Sequence, residues 1–179
     1  MHMFWERGYE ASSISDLISA MGLTPPMLYR AFHAKEQLFL EAVERYSTSY
    51  GNISVRAVRE ERTARQAIER WLTEAANEFV QPNHPTGCMI VMSATNCAGA
   101  ALNVCRALQR RRADEAANVE GRIQMAIDSG ELPFDTDARE LARFYATVYQ
   151  GMSFQARDGA ANLALMATVR HAMRIWPGV

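Results

Sequence analysis

Lysine is nearly missing from this chain: among 179 residues only Lys35 is one, and the other permanently cationic side chains are arginines. Cysteine is scarce as well. Cys88, Cys97 and Cys105 are odd in number and form no close pairing motif, which excludes a disulfide scaffold and fits a reducing compartment. No apolar run approaches the roughly 20 residues that span a membrane, and no cationic-plus-apolar leader opens the chain. A cytoplasmic protein with no membrane partner is therefore expected. Strand-like alternation of useful length is absent. So are a nucleophile paired with a base, a phosphate-cradling loop and paired carboxylates, which leaves an enzyme without support. His84 and Cys88 have ligand-like spacing, but Pro85 intervenes and no third or fourth ligand lies nearby. Neither a metal nor any other cofactor is expected.

What is present is ordinary in composition and specific in pattern. Apolar residues make up 49% and charged ones 22%, enough for a soluble globular core, and the expected fold class is all-α. Residues 12–38 carry the sharpest signal. Ser12 or Ser13 can cap a helix, with Ser15 or Asp16 three residues on closing a capping box. Ile14, Leu17, Ile18 and Met21 recur at helical spacing and face inward. Gly22 stops that helix, because glycine enters a left-handed turn at no steric cost. Thr24 caps a second helix whose first turn holds Pro25 and Pro26. Leu28 and Phe32 form its buried side, which turns Pro25, Pro26, Met27, Tyr29 and Arg30 outward. Two helices joined by a glycine turn, the second with an exposed apolar, aromatic and basic face, describe a helix-turn-helix DNA reader.

Taken together, Gly8-Tyr9, Ser12-Ser13, Asp16-Leu17, Gly22-Leu23-Thr24, Leu28-Tyr29, Phe32, Lys35-Glu36 and Leu38 resemble the DNA-binding domain of the TetR family of bacterial transcriptional regulators. The likeness runs without a gap from about Phe4 to about Val43. It implies a homodimer on a palindromic double-stranded DNA operator, most readily as a repressor released by a small-molecule effector of unknown identity. Carried over residue by residue, Tyr29 and Lys35 match phosphate-binding positions, and Ser12 or Ser13 would add a neutral phosphate hydrogen bond. Thr24 is a backbone contact, and Arg30 can reach guanine O6 and N7. Pro25, Pro26 and Met27 can only meet thymine methyls or groove shape. Bulk charge does not hold the DNA: four basic side chains face six acidic ones in residues 1–50, and the whole chain carries −1. Family members usually carry a further stretch of helix, often with a basic arm, before the position of Met1, so missing N-terminal residues are expected.

Two domains are expected, residues 1–50 for DNA binding and 51–179 for ligand binding and dimerisation. The first opens with the end of a helix at residues 1–8, where Phe4 and Trp5 brace the reading motif from behind. A longer helix from Ala34 to about Tyr50 follows and can act as a lever. Residues 51–61 lose periodicity and are expected to be a connection. Helices are then predicted from about Thr63 to Val80, Gly87 to Thr95, Gly99 to Ser129, Asp137 to Arg157 and Ala160 to Ile175.

Trp71, Phe79, Met89, Met92, Leu108, Tyr145 and Tyr149 are the candidate lining of an effector pocket. The resemblance, not composition, is what implies the effector. Phe144, Val148, Gly151, Met152 and Gln155, with Leu163, Met166, Val169 and Met173, are the candidate dimer interface, near a Tyr149-Gln150-Gly151 signature similar to the family's. Cys88 starts a helix, whose dipole would lower its thiol pKa. That makes it the redox or electrophile candidate of an alternative reading, against the plainer one of a small buried apolar residue.

Overall fold

Local stops divide the chain into ten α-helices among the described residues, which in this computed structural model are 1–94 and 101–178. They are α1 (His2–Arg7), α2 (Ile14–Met21), α3 (Pro25–Phe32), α4 (Lys35–Thr48), α5 (Ile53–Glu60), α6 (Ala64–Glu78), α7 (Met89–Ser93), α8 (Leu102–Asp128), α9 (Ala138–Arg157) and α10 (Asn162–Ala172). A 3-10 turn, Met173–Ile175, ends the last of them. No strand occurs among the described residues, as the all-α expectation requires.

The stops act as the sequence predicts. Gly22 takes φ 63° and ψ 31°, the left-handed conformation that lets Leu23 N–H reach back to the Ile18 carbonyl. Ser13, rather than Ser12, is the α2 cap: its hydroxyl oxygen accepts the Asp16 N–H at 3.1 Å. Thr63 and Gln66 form a reciprocal capping box on α6, and Asp137 accepts the Glu140 N–H at the start of α9.

One connection is a helix instead. Residues 53–60 form α5, burying Ile53, Ser54 and Ala57. Its inward face is built partly from small residues, so apolar periodicity alone does not reveal it. Arg70 on α6 then fastens α5 in place, reaching Glu60 at 2.7 Å, Glu61 at 2.9 Å and Glu74 at 2.6 Å.

Helix α6 is the axis of the larger half. Ala64, Ala67, Ile68, Trp71, Leu72, Ala75 and Ala76 are all buried, and α5, α8, α9 and α10 pack around it. The alanines let neighbouring backbones come close, while Trp71 fills the wider gap. The 27-residue α8, about 40 Å long at 1.5 Å per residue, lies along α9 and also touches α4 and α5.

Residues 1–50 and the larger half meet through α1. Phe4 stands edge-on to Phe39 at 5.0 Å and so braces the reading motif as expected. Trp5 faces the other way. Its indole N–H donates to the Gly87 carbonyl at 3.0 Å, and its ring stacks on His84 at 4.5 Å. His84 is held in turn by the Pro85 carbonyl and the Glu78 carboxylate, so both its ring nitrogens serve the corner before α7 rather than a metal. No cluster among the described residues has the makings of a metal site.

Gly87 is forced by this arrangement. It sits at φ +76°, and a Cβ there would lie 2.7 Å from the Ser153 carbonyl oxygen and 2.9 Å from Ser153 Oγ. Neither atom can yield cheaply, because Ser153 Oγ accepts the Cys88 N–H at 2.8 Å. Gly87→Ala is therefore expected to destabilise the fold by roughly 2–3 kcal/mol in urea unfolding. Gly121→Ala, at an open helical position, should instead stabilise it by about 0.5–1 kcal/mol.

Candidate nucleic-acid interface and internal cavity

The turn at Gly22 sets α3 so that only Leu28 is fully buried and Phe32 partly so. Met27 is 52% and Tyr29 47% exposed, unusual values for large side chains on a short helix, and Pro25, Pro26 and Arg30 are exposed beside them. Arg30 forms no ion pair with any described residue, which leaves its five N–H donors for a partner. Thr24 precedes the helix with its hydroxyl unused for capping. Helix α3 opens on Pro25 and Pro26, which have no N–H, and Ser13 takes the Asp16 N–H of α2, so the first N–H groups of α4 are the main unsatisfied donors suited to an anion.

Lys35 opens α4 and is only partly exposed. Its ammonium lies 4.3 Å from the centre of the Tyr9 ring and 3.5 Å from the Glu10 carbonyl oxygen. Burial holds its pKa below the ordinary lysine value, with Glu10 opposing. The cation is thus pre-positioned at the start of α4, and Tyr9, a motif residue outside the predicted contacts, is its platform. His33, the one non-glycine residue at positive φ among those described, turns the chain between α3 and α4 at φ 58°.

Ser12 does not belong to this surface. It is buried, and its hydroxyl donates to the Gly8 carbonyl at 2.7 Å, so it closes the turn after α1 instead of meeting phosphate. Ser13 is exposed and remains in place.

The larger half contains a half-open cavity of about 120 Å³ between α4, α5, α7, α8 and α9. Tyr46, Ser54, Cys88, Glu115, Asn118 and Tyr149 line it, with Val55 and Ile90 as apolar wall and Arg111 and Asp114 at its edge. Of the predicted pocket residues only Tyr149 is among them. Trp71 stacks on the Tyr149 ring and Phe79 meets it edge-on, each at 5.1 Å, so both stand behind the wall. Tyr145 spends its hydroxyl on the Ala172 carbonyl at 3.2 Å, and Met89 and Leu108 are solid core. Met92 lines a different recess, beside Trp5 and Arg157. Periodicity identifies burial, and burial alone does not separate a cavity wall from filled core.

Burial dominates the chemistry of that cavity. It pushes the Cys88 thiol up, and Glu115 adds to the effect; hydrogen bonds from Tyr46 and Tyr149 to the sulfur only partly oppose it. The expected low thiol pKa is overturned, because α7 has five residues and desolvation outweighs so short a helix. Both tyrosines are also raised well above their ordinary value by burial. Glu115 is pushed up to about 7 by burial, against a hydrogen bond from Ser54. Cys105 is free and half-buried on α8, whereas Cys97 lies outside the described residues.

The predicted dimer residues fall on two faces of α9. Tyr145, Tyr149, Met152 and Ala156 point inward, while Phe144, Val148, Gly151 and Gln155 take the same spacing one residue earlier and stay at least partly exposed. Met152 therefore belongs to the core. So do Val169 and Met173, leaving Leu163, 77% exposed, and the half-buried Met166 on the outside of the C-terminal segment. Phe154, 39% exposed, adjoins the outward face and was missed because it interrupts the chosen spacing.

A glycine-turned helix pair with an exposed reading face, carried on a helical bundle, defines the class of helix-turn-helix DNA-binding regulators. Within it the family is specific. The profile of bacterial regulatory proteins of the tetR family matches residues 1–42, and that of the Tetracyclin repressor-like C-terminal domain matches residues 63–173. The chain belongs to the TetR family; it is a DNA-binding transcriptional regulator and not an enzyme. The HTH-type transcriptional repressor ComR of Escherichia coli is 31% identical over 99% of this chain and 85% of its own length. The HTH-type transcriptional repressor BdcR of the same organism is 25% identical over 95% of this chain and 81% of its own. Among solved structures, a cysteine mutant of the TetR family regulator CifR, complexed with 26-bp double-strand operator DNA, is 36% identical. It superposes with a TM-score of 0.95 over 98% of this chain and 92% of that one. No helix among the described residues is long and apolar enough to cross a membrane.

Glu115 makes stability depend on pH. Its carboxyl holds a proton more tightly in the fold, near pH 7, than at the ordinary 4.5 of the unfolded chain. The stabilisation is complete below about pH 4.5 and is lost as pH rises through about 7. Glu115→Gln is expected to flatten the thermal-unfolding profile between about pH 5 and 8 and to gain on the order of 2 kcal/mol at the alkaline end, part of the full linkage value because the residue keeps some solvent access. Parallel profiles for the two proteins would contradict the assignment.

Proposed function

We propose that this regulator is a ligand-released repressor that binds a palindromic operator as a homodimer. The observation that carries the reading is the juxtaposition of an exposed Met27, Tyr29 and Arg30 on α3 with Lys35 at the start of α4. The likeness to CifR, a regulator described in complex with its operator duplex, supports it. Ser13, Tyr29 and Lys35 bind phosphates, Thr24 adds a backbone contact, and Arg30 reads a base edge. Pro25, Pro26 and Met27 carry no hydrogen-bonding side-chain groups and select by shape and thymine methyls. Residues 1–50 form the reading domain and the remainder the ligand and dimer domain.

Two-fold pairing follows from the outward faces of α9 and α10. Phe144, Val148, Gly151, Phe154 and Gln155, with Leu163 and Met166, offer an apolar surface with a glycine at its centre, where a partner helix can approach closely. Pairing there sets two reading helices about one DNA turn apart, roughly 34 Å.

Ligand release uses the cavity. Tyr46 belongs to α4, which begins at Lys35, and Cys88 neighbours Gly87, which holds Trp5 of α1. A guest that moves these two walls acts on both ends of the reading unit, by tilting α4 and by shifting the corner that grips α1. A coupling of about 1–3 kcal/mol suffices to change occupancy of the operator. Direct sensing through Cys88 loses its premise, since the thiol is buried and its pKa is raised.

Lys35→Ala is expected to weaken binding to any duplex and to reduce the slope of log K against log salt by about one, while Lys35→Arg keeps the slope. Equal slopes for wild type and Lys35→Ala would remove the phosphate assignment. By light scattering the chain should run as a dimer at micromolar concentration, and Phe144→Glu with Leu163→Glu as a monomer. A wild-type monomer would end the two-fold account.

A further inference from the structure

Hydrogen bonds inside the cavity converge on Cys88 and Glu115. Tyr46 and Tyr149 direct their hydroxyl protons to the Cys88 sulfur, and Ser54 directs its own to Glu115. Tyr46 in turn accepts the Met89 N–H, and what these groups have left for a guest is their remaining oxygen lone pairs. The acid among them lacks a counter-charge. Arg111, the cation at the edge, is committed to Glu44, and no Arg, Lys or His among the described residues pairs with Glu115. Asp114 at the mouth adds a second negative charge. Apart from the Asn118 carboxamide, the site therefore offers more acceptors than donors and is short of one cation. An anion meets Glu115 unshielded, and a neutral alcohol supplies one donor where several acceptors wait. An ammonium group brings three donors and the missing charge together.

We propose that this cavity takes a small organic cation, a primary alkylammonium, whose nitrogen lies against Glu115 and whose alkyl part lies against Val55 and Ile90. The proposal rests on the ligand-released reading and deepens it by naming the class of effector. Size follows from volume. An apolar cavity of about 150 Å³ holds a benzene, so the 120 Å³ available here suits a guest of about five heavy atoms. With the carboxyl ionising near pH 7, a cation gains most from it on the alkaline side. Aromatic walls from Tyr46 and Tyr149 favour the same guest, because a ring face attracts a cation and not an anion.

Isobutylammonium, isobutanol and isobutyrate share one carbon skeleton and separate the possibilities. Titrated calorimetrically into the full chain at about pH 8, isobutylammonium is expected to bind about tenfold or more tightly than isobutanol, and isobutyrate not to bind. Glu115→Gln should erase the preference for the amine. That variant is expected to be the more stable protein at this pH, so misfolding does not stand in for the effect. Equal affinity for amine and alcohol, an amine affinity unchanged in Glu115→Gln, or no amine binding up to about 10 mM would overturn the proposal. Operator release is read separately. If the alcohol or carboxylate binds and releases the duplex, the cation class falls and ligand release stands. If the amine binds through Glu115 and operator affinity does not move, the cation class holds and ligand release falls.

Discussion

A single buried hydrogen bond, from the Trp5 indole to the Gly87 carbonyl, ties the first helix of the chain to the core of its larger half. Around it the ring contributes far more energy than the bond. An aromatic of this size buries about 200 Å², worth about 5 kcal/mol as an upper estimate, against about 1 kcal/mol net for the hydrogen bond. Burial therefore keeps α1 attached, and the hydrogen bond fixes where it sits. His84, stacked on the same ring and held by Pro85 and Glu78, stiffens the corner from the other side.

That corner is shared property. Gly87 accepts from Trp5, Cys88 donates to Ser153 on α9, and the Cys88 side chain forms part of the cavity wall. Three regions thus meet within two residues: the reading unit, the cavity and the helix with the outward apolar face. Lacking room for a Cβ at Gly87, the corner is packed directly against Ser153 of α9. The family's lever is expected to be the helix after the reading helix, here α4 with Tyr46. In this chain a second link, through α1, runs beside it.

How much of this was legible in the sequence depends on what kind of signal each feature leaves. Stops and caps are written in residue type, so Gly22, Thr24, Pro25 and Ser13 disclosed the reading motif before any coordinates. Helix α5 was hidden because Ser54 and Ala57 fill positions where a search for apolar periodicity expects larger groups. The two faces of α9 differ by one residue in register, and Met152 was placed on the wrong one since both faces are apolar. Glu115 left no mark at all; a carboxylate in a long polar helix reads as solvated until tertiary packing closes over it. For Cys88 the plainer expectation of a small buried residue agrees with the fold, and only the low thiol pKa of the alternative fails, for a related reason. The dipole of a helix start is visible in sequence, whereas the desolvation that outweighs it is not. Trp5 is expected to brace the reading motif, and only the fold shows its indole bonded to Gly87 and stacked on His84.

The central claim is that the grip of Gly87 on Trp5 holds the reading helices where an operator needs them. Fluorescence anisotropy of Trp5→Phe on an operator duplex selected with the wild-type protein tests it most directly, since phenylalanine keeps most of the buried ring and deletes the N–H. Affinity is expected to fall roughly five- to tenfold, about 1 kcal/mol, with the salt slope unchanged because every phosphate contact survives. Wild-type affinity in the helical, folded variant would contradict the claim and leave α4 as the lone connection between the cavity and the DNA.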